Sequence, residues 1–108
     1  MIVLPQRQKM SVGSTELISV DLSDTLDSSE TISSVTSVTE TTSLMSSVTG
    51  EGVKSSSWTH KDGSTVPASQ GVAVTVTASS LPGHSILQWI VVTSSSRTLK
   101  FATHVIIE

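Results

Sequence analysis

Apolar and polar residues alternate along much of this 108-residue chain with a period of two, the spacing of a half-buried β-strand. The clearest run is Val72–Ala78, where Val72, Val74, Val76 and Ala78 share one parity and Ala73, Thr75 and Thr77 the other. Thr15–Leu22 repeats it with Ile18, Val20 and Leu22. Thr98–Ile107 sets Leu99, Phe101, Val105 and Ile107 on one side, with Thr103 between them. Ser85–Thr93 is apolar on both faces, Ile86, Ile90 and Val92 against Leu87, Trp89 and Val91. That predicts a central strand or one beneath a subunit contact. In Ile32–Thr39 the apolar residues Ile32, Val35 and Val38 are three apart, so a strand here requires a bulge. Leu44–Val48 is a short strand that Gly50-Glu51-Gly52 should end. Val53–His60 is weakly patterned and anchored by Trp58.

The turns fall between these runs. Asp62-Gly63 predicts a tight hairpin, Leu81-Pro82-Gly83 a turn, and Ser94–Arg97 the last connection. Between residues 21 and 30, Leu22 and Leu26 fit a single helical turn or a compact loop. No segment carries a helical apolar stripe. About seven strands at 8–12-residue spacing predict an all-β fold, an antiparallel β-sandwich over residues 15–108.

Residues 1–14 read as an extended N-terminal arm. Pro5 disfavours helix, and the polar run after it has no apolar face. A frayed terminus is one reading; the other is that Ile2, Val3 and Leu4, apolar residues ill-suited to water, dock on their own domain or on another chain.

Composition narrows the class. The chain holds 23 Ser and 15 Thr but only three aromatic residues, Trp58, Trp89 and Phe101. Its β-branched content favours strands over a helical bundle. No apolar run exceeds four residues, which excludes a membrane-spanning helix. The N-terminus has its charges after a very short apolar stretch, the reverse of a secretory signal. Cysteine is absent, which excludes disulfides, thiolate chemistry and cysteine-type zinc sites.

Charge is unevenly spread. Arg7 and Lys9 make the first 14 residues cationic. Residues 15–51 hold Glu16, Asp21, Asp24, Asp27, Glu30, Glu40 and Glu51 with no Lys or Arg. Such a segment argues against nucleic acid; it fits a solvated acidic face or, as the sharper reading, a face that docks a basic partner or the arm of a neighbouring copy. Arm and face together give a candidate docking set: Ile2, Val3, Leu4, Arg7, Lys9, Asp21, Asp24 and Asp27, with Trp89 as an interface or core anchor.

No catalytic motif emerges, and no cofactor is expected. His60, His84 and His104 lie in different elements without the spacing of a zinc site. Asp21, Asp24 and Asp27 recur every third residue, which does not match an EF-hand loop. Turn formation explains them better than calcium, so no metal is expected.

Two segments carry a resemblance. Asp21-Leu22-Ser23-Asp24-Thr25-Leu26-Asp27-Ser28-Ser29-Glu30-Thr31-Ile32 and Thr93-Ser94-Ser95-Ser96-Arg97-Thr98-Leu99 resemble the opening and closing motifs of small immunoglobulin-like virion proteins of tailed bacteriophages, the fibre–tail adaptor type. Ser96 stands where that family usually has Gly, and Ser79–His84 replaces its glycine-rich turn. The resemblance implies an immunoglobulin-like β-sandwich and a non-enzymatic structural role in the virion, assembled in the host cytoplasm. Its partners would be other virion proteins and copies of itself, with no membrane or nucleic acid bound. A capsid decoration protein is the alternative. A carbohydrate-binding or hydrolase accessory domain is a third, weaker one.

Overall fold

The computed structural model describes residues 2–59, 63 and 65–108, with side chains from Lys9 onward. It is all-β. Among the described residues there is no helix, and so none long and apolar enough to cross a membrane. The strands are β1 (Ile2–Met10), β2 (Thr15–Asp21), β3 (Ile32–Glu40), β4 (Met45–Val53), β5 (Trp58–Thr59), β6 (Thr65–Val66), β7 (Gly71–Ala78), β8 (Gly83–Thr93) and β9 (Thr98–Ile107). One sheet runs β1-β9-β8-β3 and the second β2-β7-β4, while β5 and β6 form a small hairpin. The two larger sheets bury their apolar parities against each other. Ile18, Val20, Val72, Val74 and Val76 from one meet Leu87, Trp89, Val91, Phe101, Val105 and Ile107 from the other in a single core.

The period-two runs become strands close to their expected bounds. β3 confirms its bulge and adds a second: its register against β8 shifts between Ile32 and Ser34 and again between Val35 and Ser37. Each extra residue restores parity, so Ile32 is buried and Val35 and Val38 pack on the core.

Two expectations change. β4 does not end at Gly50-Glu51-Gly52 but runs to Val53. Its register against β7 shifts between Thr49 and Gly52, and Gly50 sits at φ 67°, so the glycines form an irregularity inside the strand rather than its end. Of Val53–His60, the structure forms β4's last residue and then only Trp58–Thr59 as strand. β5 pairs Trp58 with Val66 and Thr59 with Thr65, and Gly63 between them has φ 90°. The rest of the expected turn, Lys61, Asp62 and Ser64, lies outside the described residues, as does His60.

Residues 2–10 are extended, as expected of the arm, and their backbone pairs within their own domain, one of the two dockings open to them. Ile2–Met10 is the edge strand of the larger sheet, paired with β9 in parallel, from Ile2 beside Phe101 to Met10 beside Ile107. The sandwich is therefore not wholly antiparallel. The register shifts between Val3 and Arg7, around Pro5, whose missing N–H an edge strand or a bulge tolerates. Met10 is buried in the core. The crossing to β2 fixes the direction: Val12 N donates to Glu108 O in one sheet, and Gly13 N to Ser79 O in the other. One side of the strand is paired within its own domain, and the other is a sheet edge.

Candidate interaction surface

The loop between β2 and β3 is held to the β8–β9 turn by one buried carboxylate, by the mutual bonds of Thr31 and Ser94, and by Arg97 Nη2 donating to Thr25 O. Thr25 N and Leu26 N both donate to Leu22 O, closing the single turn that Leu22 and Leu26 suggest. The chain then brings Glu30 under the sandwich end, where its side chain is 1% exposed. Arg97 grips it as a fork: Nε donates to Oε2 at 2.9 Å, and Nη2 to Oε1. Thr93 Oγ1 donates to Oε2 at 2.6 Å and Asp27 N to Oε1 at 2.9 Å. The Arg97 guanidinium first, then the Thr93 hydroxyl and the Asp27 N–H, hold the Glu30 carboxyl far below the usual carboxylate range. A carboxylate so placed is a structural tie, closed to solvent and to any reactant.

The acidic segment does not form one face. Glu30 is spent on Arg97. Glu40 turns into the β3–β4 connection, accepting from the N–H and hydroxyl of Thr42, from Leu44 N and from Ser85 Oγ. Burial raises the Glu40 carboxyl, but the hydrogen bonds from Thr42, Ser85 and Met45 outweigh it and leave it lowered. Asp21 accepts from the N–H and hydroxyl of Ser23, the local turn its spacing suggests. Asp27 lies 3.9 Å from Arg97, and Asp24 is exposed. Glu16 on β2 and Glu51 on β4 sit on opposite edges of the β2-β7-β4 sheet. Among the described residues no three carboxylates or imidazoles converge as a metal site.

The cationic half of the expected contact is also altered. Lys9 lies 3.8 Å from Glu108 of its own chain, both side chains well exposed, a pair worth little. The docking expected of Ile2, Val3, Leu4 and Arg7 falls on side chains outside the described part. Trp89 is not a surface anchor. It is 1% exposed, stacks on Phe101 with centroids 5.5 Å apart, and donates Nε1–H to Thr103 Oγ1 at 3.1 Å. Its parity in β8 points it into the core, and the polar Thr103 in the apolar run of β9 is its hydrogen-bond partner.

What the fold does present is the outer face of β3, β8 and β9. β8 is central in its sheet, between β9 and β3, yet Ile86, Ile90 and Val92 remain only partly covered. β9 adds Lys100, His104 and Ile106 at the same parity, with Ala102 between them buried. A hollow of about 240 Å³ opens on this face, lined by Ser37, Thr39, Gln88, Ile90 and Lys100 and reaching the buried Trp89. The outward positions of β8 and β9 carry no carboxylate, although the protein is acidic. The double-sided apolar pattern of Ser85–Thr93 foreshadows this face; its charge asymmetry comes only with the strand order.

His84 and His104 meet on the same face. His84 Nε2 lies 2.6 Å from His104 Nδ1, and the rings are 4.7 Å apart, tilted by 55°. Twenty residues separate them in sequence, but the β8–β9 hairpin sets His84 opposite Ile106 and Ile86 opposite His104, which makes the two histidines diagonal neighbours. Reflecting the sequence about the Ser94–Arg97 turn would have revealed this.

No protein-family model matches the chain, and no curated protein matches it in sequence.

Proposed function

We propose that this chain is a non-enzymatic structural protein of a tailed-bacteriophage virion, an adaptor of immunoglobulin-like fold that bridges tail or neck and fibre components. The observation that carries the reading is the tie between Glu30 and Arg97. The two segments that resemble the family's opening and closing motifs, 21–32 and 93–99, are joined by that fork, so the motif residues act as one structural unit. The strand order supports the fold assignment. β2-β7-β4 facing β9-β8-β3 corresponds to B-E-D facing G-F-C of an immunoglobulin sandwich, with the first strand carried across to the last. Fold alone does not select a function, and the virion role rests on the motifs. The outer face of β3, β8 and β9, which mixes half-buried Ile86, Ile90 and Val92 with Ser37, Thr39, Gln88 and Lys100, is the surface this reading gives to a partner.

The test is protein quantification in purified particles of a phage carrying the gene. An adaptor should be present at roughly six to twelve copies per particle, the number a ring dictates. Hundreds of copies would transfer the protein to the head as a decoration, and absence from the particle would remove the reading.

A further inference from the structure

We propose that His84 and His104 form a surface site for a borderline divalent transition-metal ion of the zinc, nickel or copper class. The two imidazoles turn nitrogens toward each other, His84 Nε2 and His104 Nδ1 at 2.6 Å, at the outer face of the β8–β9 ladder. Such a contact needs one shared proton, carried by one ring and accepted by the other. A metal ion takes that proton's place when the donor ring moves its proton to its far nitrogen, so the exchange leaves the net charge of the two rings unchanged. Zinc–nitrogen bonds of 2.0–2.1 Å in tetrahedral geometry set two ligand nitrogens about 3.3 Å apart. The pair has to open by less than 1 Å, by rotation of side chains of which His84 is exposed and His104 half-buried. The strands beneath need not move, because each histidine sits in the paired part of the ladder.

Selectivity follows from the surroundings. The outward positions of β8 and β9 offer imidazole but no carboxylate. Hard cations such as calcium and magnesium, which need several oxygen ligands, find only the Gln88 side-chain carbonyl beside His104 on β8, whereas imidazole suits zinc, nickel and copper. Water fills the positions left open by two protein ligands. A bound ion clamps β8 to β9 on the side remote from the core.

Zinc chloride titrated into the chelator-treated full-length chain tests this, by calorimetry and by the NMR signals of the histidine rings. One zinc per chain is expected, with the signals of His84 and His104 moving and the melting temperature rising with zinc concentration. His84→Gln and His104→Gln should each weaken binding by about tenfold or more and melt like the wild type in chelator, while His60→Gln binds as before. Calcium chloride should move none of these signals. Zinc binding that survives both single substitutions within about twofold, or that is lost in His60→Gln, would overturn the proposal, as would an absence of binding at millimolar zinc.

Discussion

Glu30 and Arg97, 67 residues apart in sequence, meet in a fork of two hydrogen bonds in which the carboxylate is buried and the guanidinium half-exposed. Neutralising the carboxylate leaves the guanidinium in place with half of its reason for being there gone. Glu30→Gln should therefore lower the melting temperature more than Asp27→Asn, since Asp27 is 76% exposed and sits 3.9 Å from the same guanidinium. Thermal melts of the two variants at neutral pH decide it; equal losses would show that the fork is incidental.

Acid should act through the same group. Glu30 and Glu40 both hold their protons less tightly when folded than when unfolded. The unfolded chain takes up more protons once pH falls through the ordinary carboxylate range, near 4. The stability these groups supply is complete above that range and shrinks below it. Urea unfolding at a series of pH values from 7 to 3 should give a falling stability below about pH 4, with a shallower fall in Glu30→Gln.

Trp89→Phe keeps the stack on Phe101 and removes the donor to Thr103 Oγ1, a hydroxyl that is itself buried. A cost of about 1–3 kcal/mol is expected for stranding that group. Thr103→Val should cost less when combined with Trp89→Phe than in the wild type, and chemical denaturation of the four proteins in the cycle measures the difference. Simple additivity would mean that the bond contributes nothing.

Ser96 holds φ at 60°, in the left-handed region, within the turn closed by Ser96 N on Thr93 O. A side chain there costs about 1–2 kcal/mol that glycine avoids. After the greater freedom of glycine in the unfolded chain is subtracted, Ser96→Gly should stabilise by about 0.5–1 kcal/mol, and Ser95→Gly should not. Paired melting curves suffice.

Removing residues 1–12 should destabilise the domain. The deletion strips β1 from β9 and takes Met10 out of the core. Met10 alone contributes about 1.5–3 kcal/mol through burial, and the bared edge of β9 invites strand-to-strand association. Melting and size-exclusion chromatography of the truncated chain check both. A truncated protein as stable and as monodisperse as the full chain would mean that β1 adds nothing to the sandwich.

Sequence pattern reveals what depends on neighbours along the strand. Val72–Ala78 and Thr98–Ile107 alternate cleanly because one side of each faces the core, and the spacing of Ile32, Val35 and Val38 betrays bulges because the core demands constant parity. Pattern is silent where the decisive partner is distant. Nothing near Glu30 marks it for burial, since the guanidinium that makes burial tolerable comes from Arg97. The polar tail of residues 5–9 has no alternation, because β1 is specified by backbone pairing with β9 and by Met10. Trp89 reads as ambiguous because β8 is apolar on both sides, and its inward direction is set by sharing a parity with Leu87 and Val91 and lying opposite Phe101 across the hairpin.

In chain order β1 is the first described strand and β9, to which it pairs, is the last. A ribosome therefore releases β1 long before its partner exists, and β8 also waits for β9, which lies between them. During synthesis the sheet can start only from the pairing of β3 with β8, and it closes when the final strand slides in between two waiting edges. Pairings this distant in sequence are slow to form. Through that interval β1 of a nascent chain lacks the strand it pairs with and is open to whatever lies nearby.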